Sequence, residues 1–178
     1  DETLMEKYFD KGELEEDEMK NGMKKAMINH DLFPLFCLSA ERNMGSGRLM
    51  GFIDNVCPSA NEMPPQLTKA GTQLECSEKG PVVIFIYKTV SEPHVGELSY
   101  FKVYSGVVKS GMDLVNETTG VSEKLNQLFV VEGNKRANVN ELVAGDISAT
   151  LKLKNTHVNN TLHEKGKYQY ERRRPTKT

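Results

Sequence analysis

Residues 82–90 read Val82-Val83-Ile84-Phe85-Ile86-Tyr87-Lys88-Thr89-Val90, and residues 97–106 read Glu97-Leu98-Ser99-Tyr100-Phe101-Lys102-Val103-Tyr104-Ser105-Gly106. The first run is rich in β-branched and aromatic side chains. The second alternates, with Leu98, Tyr100, Lys102 and Tyr104 on one face and Ser99, Phe101 and Val103 on the other. A period of two sustained over this length marks extended strands that pack one face inward. Shorter strands are expected at 114–115, 124–131, 141–143 and 147–153, separated by the turn signals Ser105-Gly106, Ser110-Gly111, Thr119-Gly120, Gly133-Asn134 and Gly145-Asp146. So many short strands after Pro81 favour a small closed antiparallel barrel, because closure leaves no edge to pair with other chains.

Upstream of Pro81 the pattern differs. Residues 63–80, with Pro64, Pro65, Gly71 and Gly80, hold no sustained period and read as a linker. Further upstream, Glu15, Glu16, Asp17 and Glu18 precede Lys20, Lys24 and Lys25, an order that complements a helix dipole, while Met19, Met23, Ala26 and Met27 form a core-facing stripe. The apolar run at 32–38 reads as a strand buried on both faces. A second amphipathic helix follows, carried by Leu49, Met50, Phe52, Ile53 and Val56 and stopped by Pro58. Helix, buried strand, loop and helix make the edge of an α/β domain. A buried parallel strand needs neighbours that these residues do not supply, and the first residue is Asp1, so a piece of a longer protein is expected.

The length of 178 residues suits one ordinary domain or two small ones. With 38% hydrophobic and 27% charged residues and a mean hydropathy of −0.52, the composition is neither that of a membrane-spanning nor that of a disordered chain. The formal charge of −2 hides an asymmetry: residues 1–30 carry −4, residues 165–178 carry +5 and the middle carries −3. Any charge-driven contact must therefore use local patches, and neither DNA nor a membrane is an expected partner. Cys37, Cys57 and Cys76 form neither a zinc pattern nor a disulfide framework, as suits a reducing, cytoplasmic setting.

Enzymatic constellations are missing. His30, His94, His157 and His163 have no partner at metal spacing and read as surface or satisfied histidines; no catalytic or metal residue is assigned. Asn116-Glu117-Thr118 and Asn159-Asn160-Thr161 match glycosylation acceptors, without meaning in a cytosolic protein. The loop Gly45-Ser46-Gly47-Arg48-Leu49-Met50-Gly51 sits where a dinucleotide fingerprint would, but its third glycine is one position late, and no Gly-Lys-Ser/Thr makes it a phosphate loop.

Cys37-Leu38-Ser39-Ala40-Glu41 resembles the fifth guanine-nucleotide motif of translational GTPases. Gly96-Glu97-Leu98, the run from Phe101 to Gly106, Asn134-Lys135-Arg136 and Ala144-Gly145-Asp146-Ile147 occur in the order and spacing of the second domain of elongation factor G. Pro93-His94-Val95-Gly96 fits the same factor, and the resemblance runs from about Lys7 to Glu164. It implies an α+β chain: a partial α/β remnant of a P-loop GTPase domain at 1–62, a linker at 63–80 and a complete antiparallel β-barrel of the elongation-factor domain II type at 81–164. The basic tail at 165–178 does not continue like the family and reads as a solvated and disordered or non-native end.

By the same resemblance Ser39 orders the guanine site and the Ala40 N–H donates to guanine O6, a backbone donor that separates guanine from adenine. The cofactors implied are GTP and magnesium in the longer protein. None is expected on this chain, which lacks the Gly-x-x-x-x-Gly-Lys-Ser/Thr loop, the Asp-x-x-Gly switch and the Asn-Lys-x-Asp motif and so should not hydrolyse GTP. The implied function is ribosomal translocation in protein synthesis, the barrel coupling the GTP-binding domain to the small ribosomal subunit. Partners would be small-subunit rRNA and the remaining domains of the factor. Lys135 and Arg136 lead the candidates for rRNA contact and stand equally well as solvated loop charges; Lys102, Lys88 and Lys109 follow. Lys102 stands where the family usually has arginine, keeping the charge and losing the fork. The turn at 144–147 is expected to serve barrel closure. Two other readings stay open: a ribosomal-protection paralogue, and a barrel used as a non-ribosomal protein-interaction scaffold.

Overall fold

The computed structural model describes residues 2–68, 71–92, 96–133 and 135–166, and the chain divides after Met63 into two units. The first holds helices α1 (Glu2–Lys11), α2 (Glu16–Ile28) and α3 (Ser46–Val56). Helix α1 has no counterpart in the sequence reading, which begins its first helix near residue 14. It lies against α2 where Gly22 presents no side chain, since a β-carbon there would stand 2.8 Å from Leu4 Cδ1, and a Lys7–Glu18 ion pair joins the two helices. The Glu18 carboxylate also accepts the Glu15 N–H at 3.1 Å, satisfying a donor that a helix start leaves without a partner.

Two expectations for this unit fail. The methionine stripe is not a core: no residue of α2 is buried, and Met19 is 46% exposed. Residues 32–38 form no strand, and Phe33 and Leu35 are 77% and 91% exposed. A strand buried on both faces exists only between hydrogen-bonded neighbours. The pairing that does form is local, the antiparallel bridge of Ser39 with Met44, and Phe36 rests edge-on against Phe52 of α3 with ring centroids 4.9 Å apart.

The second unit is all β, and every pairing in it is antiparallel. Its strands are β1 (Gln66–Leu67), β2 (Gln73–Leu74), β3 (Val83–Glu92), β4 (Gly96–Ser105), β5 (Val107–Lys109), β6 (Met112–Asn116), β7 (Ser122–Leu125), β8 (Leu128–Glu132), β9 (Lys135–Val139), β10 (Glu141–Val143), β11 (Ile147–Leu151) and β12 (Thr161–His163). Eight of them form one sheet in the order β7-β6-β12-β3-β4-β11-β8-β9. This sheet is a half-barrel: its edges β7 and β9 do not pair with each other, and a separate β5–β10 ladder lies beside it. The segment expected as a linker holds the β1–β2 hairpin, whose Leu74 packs on Val83 and Tyr104.

The inner face carries the core. Ile84, Ile86, Phe101, Val103, Leu114 and Leu162 are fully inaccessible, and they meet Val108 and Leu142 of the small ladder and Leu125 and Leu128 near the two sheet edges. Each such side chain contributes about 1.5–3 kcal/mol on burial. Chain continuity curls the sheet: β4 and β5 are one extended run bent at Gly106, whose φ of +78° suits glycine. A β-carbon there would lie 2.8 Å from Val82 N and Cα. The five expected turn glycines, Gly106, Gly111, Gly120, Gly133 and Gly145, all adopt positive φ.

Candidate nucleic-acid interface

Strand register decides which candidate cations share a surface. Lys102 stands opposite Phe85 on β3 and Ile147 on β11, and Lys88 stands opposite Tyr100. Because side chains alternate along a strand, Tyr100, Lys102 and Tyr104 share the face opposite the core residues Phe101 and Val103. Across β11 and β8 the same face continues through Ala149 and Phe129 to Val131, whose partner on β9 is Arg136. Lys88, Lys102 and Arg136 thus project from one outer face. Lys135 pairs with Glu132 and alternates onto the other side of β9, and Lys109 lies on β5, opposite Glu141. Asn134 of the Asn134-Lys135-Arg136 motif falls outside the described residues, as do residues 93–95 and 167–178.

The outer face is aromatic as well as basic. Lys88 Nζ lies 5.4 Å from the Tyr100 ring centroid and Lys102 Nζ 5.5 Å from that of Tyr104. Tyr87, in a register irregularity between Ile86 and Lys88, approaches Tyr100 with centroids 6.3 Å apart. Burial, and then the neighbouring Tyr100, push the Tyr87 hydroxyl above its ordinary pKa, so it remains a neutral donor.

The turn at 144–147 is pinned to β4. Val103 donates its N–H to Asp146 O at 2.9 Å, Gly145 N donates to Val103 O at 2.8 Å, and the Asp146 carboxylate accepts Val143 N–H at 2.8 Å. These bonds hold β11 where Ile147 meets Lys102.

At the other candidate site, Ser39 is partly buried and Ala40 exposed. Ser39 and Met44 exchange backbone bonds of 3.0 and 2.9 Å, and Asn43, at φ +51°, donates to Ala40 O. The Ala40 N–H donates to no group among the described residues, which suits a backbone donor for a purine carbonyl. Helix α3 starts two residues beyond Met44 with Gly45 in the left-handed region. Among the described residues no group of three or more His, Cys, Asp or Glu could hold a metal ion.

Of the histidines, His163 is buried and bonded, with Nε2 2.7 Å from Glu117 Oε2 and Nδ1 2.9 Å from Glu164 O, while His30 and His157 are exposed and His94 is outside the described residues. The three cysteines are free thiols.

Sequence reasoning missed a buried polar cluster. Asn116, fully inaccessible, donates through Nδ2 to Asn155 O, Thr156 Oγ1 and Asn160 Oδ1 at 3.0–3.1 Å and accepts Thr118 N–H at 2.9 Å. Glu123, 6% exposed, accepts the N–H groups of Lys154 and Asn155 and the Thr156 hydroxyl. The pair anchors the loop after β11, where Lys152 and Asn159 hold φ values of +65° and +72°. The available signal was two Asn-x-Thr triplets: Asn116 opens the first, and Asn160, the middle residue of the second, accepts its Nδ2–H.

Residues 81–165 match the family model for elongation factor G domain 2. The β unit is therefore similar to a domain of the translational GTPase factors. Within the class, the domain matched is the second domain of elongation factor G. A protein of Thermus thermophilus with a known crystal structure is similar to 98% of this chain, with a TM-score of 0.71 and 25% sequence identity. The chain spans about a quarter of that protein's length, 24%. Among the described residues no helix is long and apolar enough to cross a membrane.

Proposed function

We propose that this chain is the ribosome-docking part of an elongation factor G-like GTPase that promotes translocation, and that its barrel couples the GTP-binding domain to the small ribosomal subunit. The observation carrying this reading is the family match of the β unit over residues 81–165. In this reading the β unit is a complete domain II barrel, with the β5–β10 ladder completing its wall. Residues 1–62 are the C-terminal end of the GTP-binding domain, whose remaining strands cover Phe33 and Leu35, and 63–80 connect the two. Ser39 and Ala40 form the edge of the guanine site, with the Ala40 N–H supplying the O6 donor. GTP and magnesium belong to the longer factor, where other residues hold phosphates and metal. The setting is the cytoplasm.

Lys88, Lys102, Lys135 and Arg136 are the proposed contacts to small-subunit rRNA. Phosphate contacts of this kind release counterions, so binding falls with salt in proportion to the few cations engaged. Co-sedimentation with small ribosomal subunits across a salt series tests the reading. Pelleting that weakens as salt rises is expected, and no pelleting even at low salt would sink it. A protein-interaction scaffold predicts that outcome, and it also predicts no loss of binding when Lys135 and Arg136 are changed to Ala. A ribosomal-protection paralogue would pellet similarly.

A further inference from the structure

A cleft of about 370 Å³ runs along β2 on the side away from β1: Thr72, Gln73, Leu74 and Glu75 line it, and no residue of β1 does. Strand β2 pairs with β1 alone. Thr68 donates its N–H to Thr72 O at 3.0 Å, and in an antiparallel pair the next residue along turns both backbone groups outward. Gln73 therefore offers its N–H and C=O to the cleft, and nothing among the described residues bonds them there. The rest of the lining comes from the loop at 77–81 and from Ser105 at the end of β4. Ser105 is 1% exposed and its hydroxyl reaches Ser77 O at a long 3.5 Å, which leaves its lone pairs open to a donor. Gly80 leaves room beside that hydroxyl, because a β-carbon there would collide with Ser105 Oγ.

The edges of the large sheet are guarded, and this one is not. Strand β9 carries Lys135 and Arg136, charges that discourage strand addition, and β7 is tied to the loop at 154–156 through Glu123. Thr72-Gln73-Leu74 has no charge, no proline and no bulge. The charged residues of the cleft, Glu75 and Lys79, cancel, so it favours neither a polyanion nor a polycation. We propose that this cleft takes an extended, uncharged peptide segment of a partner protein, added along β2 as a third strand of the hairpin. Main-chain bonds to Gln73 supply the affinity, and a small side chain facing Ser105 supplies selectivity. The inference is independent of ribosome docking.

Proton–nitrogen NMR of the 178-residue chain, titrated with a capped peptide of alternating threonine and serine, tests this. Amide shifts should concentrate at Gln73, Glu75, Ser77 and Ser105. The same peptide methylated on every backbone nitrogen has no N–H for the Gln73 carbonyl and should bind at least about tenfold more weakly. Gln73→Pro removes the facing N–H and should weaken binding similarly, since proline is tolerated on an edge strand whose N–H points away from the ladder. Unchanged amide positions in β3 and β4 report that the variant is folded, and the methylated peptide makes the test independent of any variant. No shift at any peptide concentration, equal binding of the methylated peptide, or shifts lying outside the cleft would overturn the proposal. A dimer in light scattering that Gln73→Pro abolishes would also overturn it, assigning the edge to a second copy of this chain.

Discussion

The carboxylate of Glu123, on β7, accepts the backbone N–H of Asn155, 32 residues further along the chain. Together with Asn116 it replaces water as hydrogen-bond partner for a loop that contains no regular ladder of its own. Truncating either side chain leaves buried donors and acceptors without partners. Asn116→Ala should destabilise the chain by about 2–3 kcal/mol. Urea denaturation followed by circular dichroism measures this, and a loss well below 1 kcal/mol would contradict the network's role.

Gly106→Ala should be at least as damaging. The new β-carbon would meet Val82 backbone atoms at 2.8 Å, and a residue with a side chain is strained at φ +78°. Backbone cannot yield as a flexible side chain does, so a cost of about 3 kcal/mol or more is expected. Gly111→Ala and Gly120→Ala, where nothing lies within 4 Å, carry only the conformational penalty and should cost visibly less in the same denaturation assay.

Acid should loosen one turn of the first unit late in the titration. Glu62 bonds Lys24 Nζ at 2.9 Å and accepts both the Ser59 hydroxyl and N–H, at 2.7 and 2.8 Å. The Lys24 ammonium, followed by the two Ser59 donors, lowers the Glu62 pKa to about 2. A carboxylate held below its unfolded value stabilises the fold above that unfolded value, near 4.5. Its contribution is lost as pH falls towards about 2. Carbon-detected NMR titration should place the Glu62 midpoint near that lower value, and Lys24→Met should raise it.

The chain should hydrolyse no GTP above a protein-free blank. Its sequence has no Gly-x-x-x-x-Gly-Lys-Ser/Thr loop, the element that cradles the phosphates of a bound nucleotide for phosphoryl transfer. Turnover that EDTA abolishes would contradict this.

The β unit was legible because its cues are local. Alternation at 97–106 and glycine-marked turns set β3, β4 and most later strands, since the strand period and left-handed turn residues are written in adjacent positions. Strands β9 and β12 escaped notice: Lys135-Arg136-Ala137-Asn138-Val139 and Thr161-Leu162-His163 have too little apolar alternation and become strands by pairing with β8, β3 and β6. The run at 32–38 misled for the converse reason, its apolarity describing a buried strand while its own unit offers no neighbouring strand to pair with.

By itself, the sequence determined the β character of residues 82–153, the turn positions and the kinship with elongation factor G domain 2, all of which depend on residue order over short windows. Only the tertiary structure decided that Lys88, Lys102 and Arg136 share a face while Lys135 turns away. It alone placed two lysines over tyrosine rings, and it alone closed Asn116 and Glu123 around the loop at 154–160. Those relationships depend on strand register and on contacts between residues far apart in the chain, and a shift of one residue in pairing would have reversed every face.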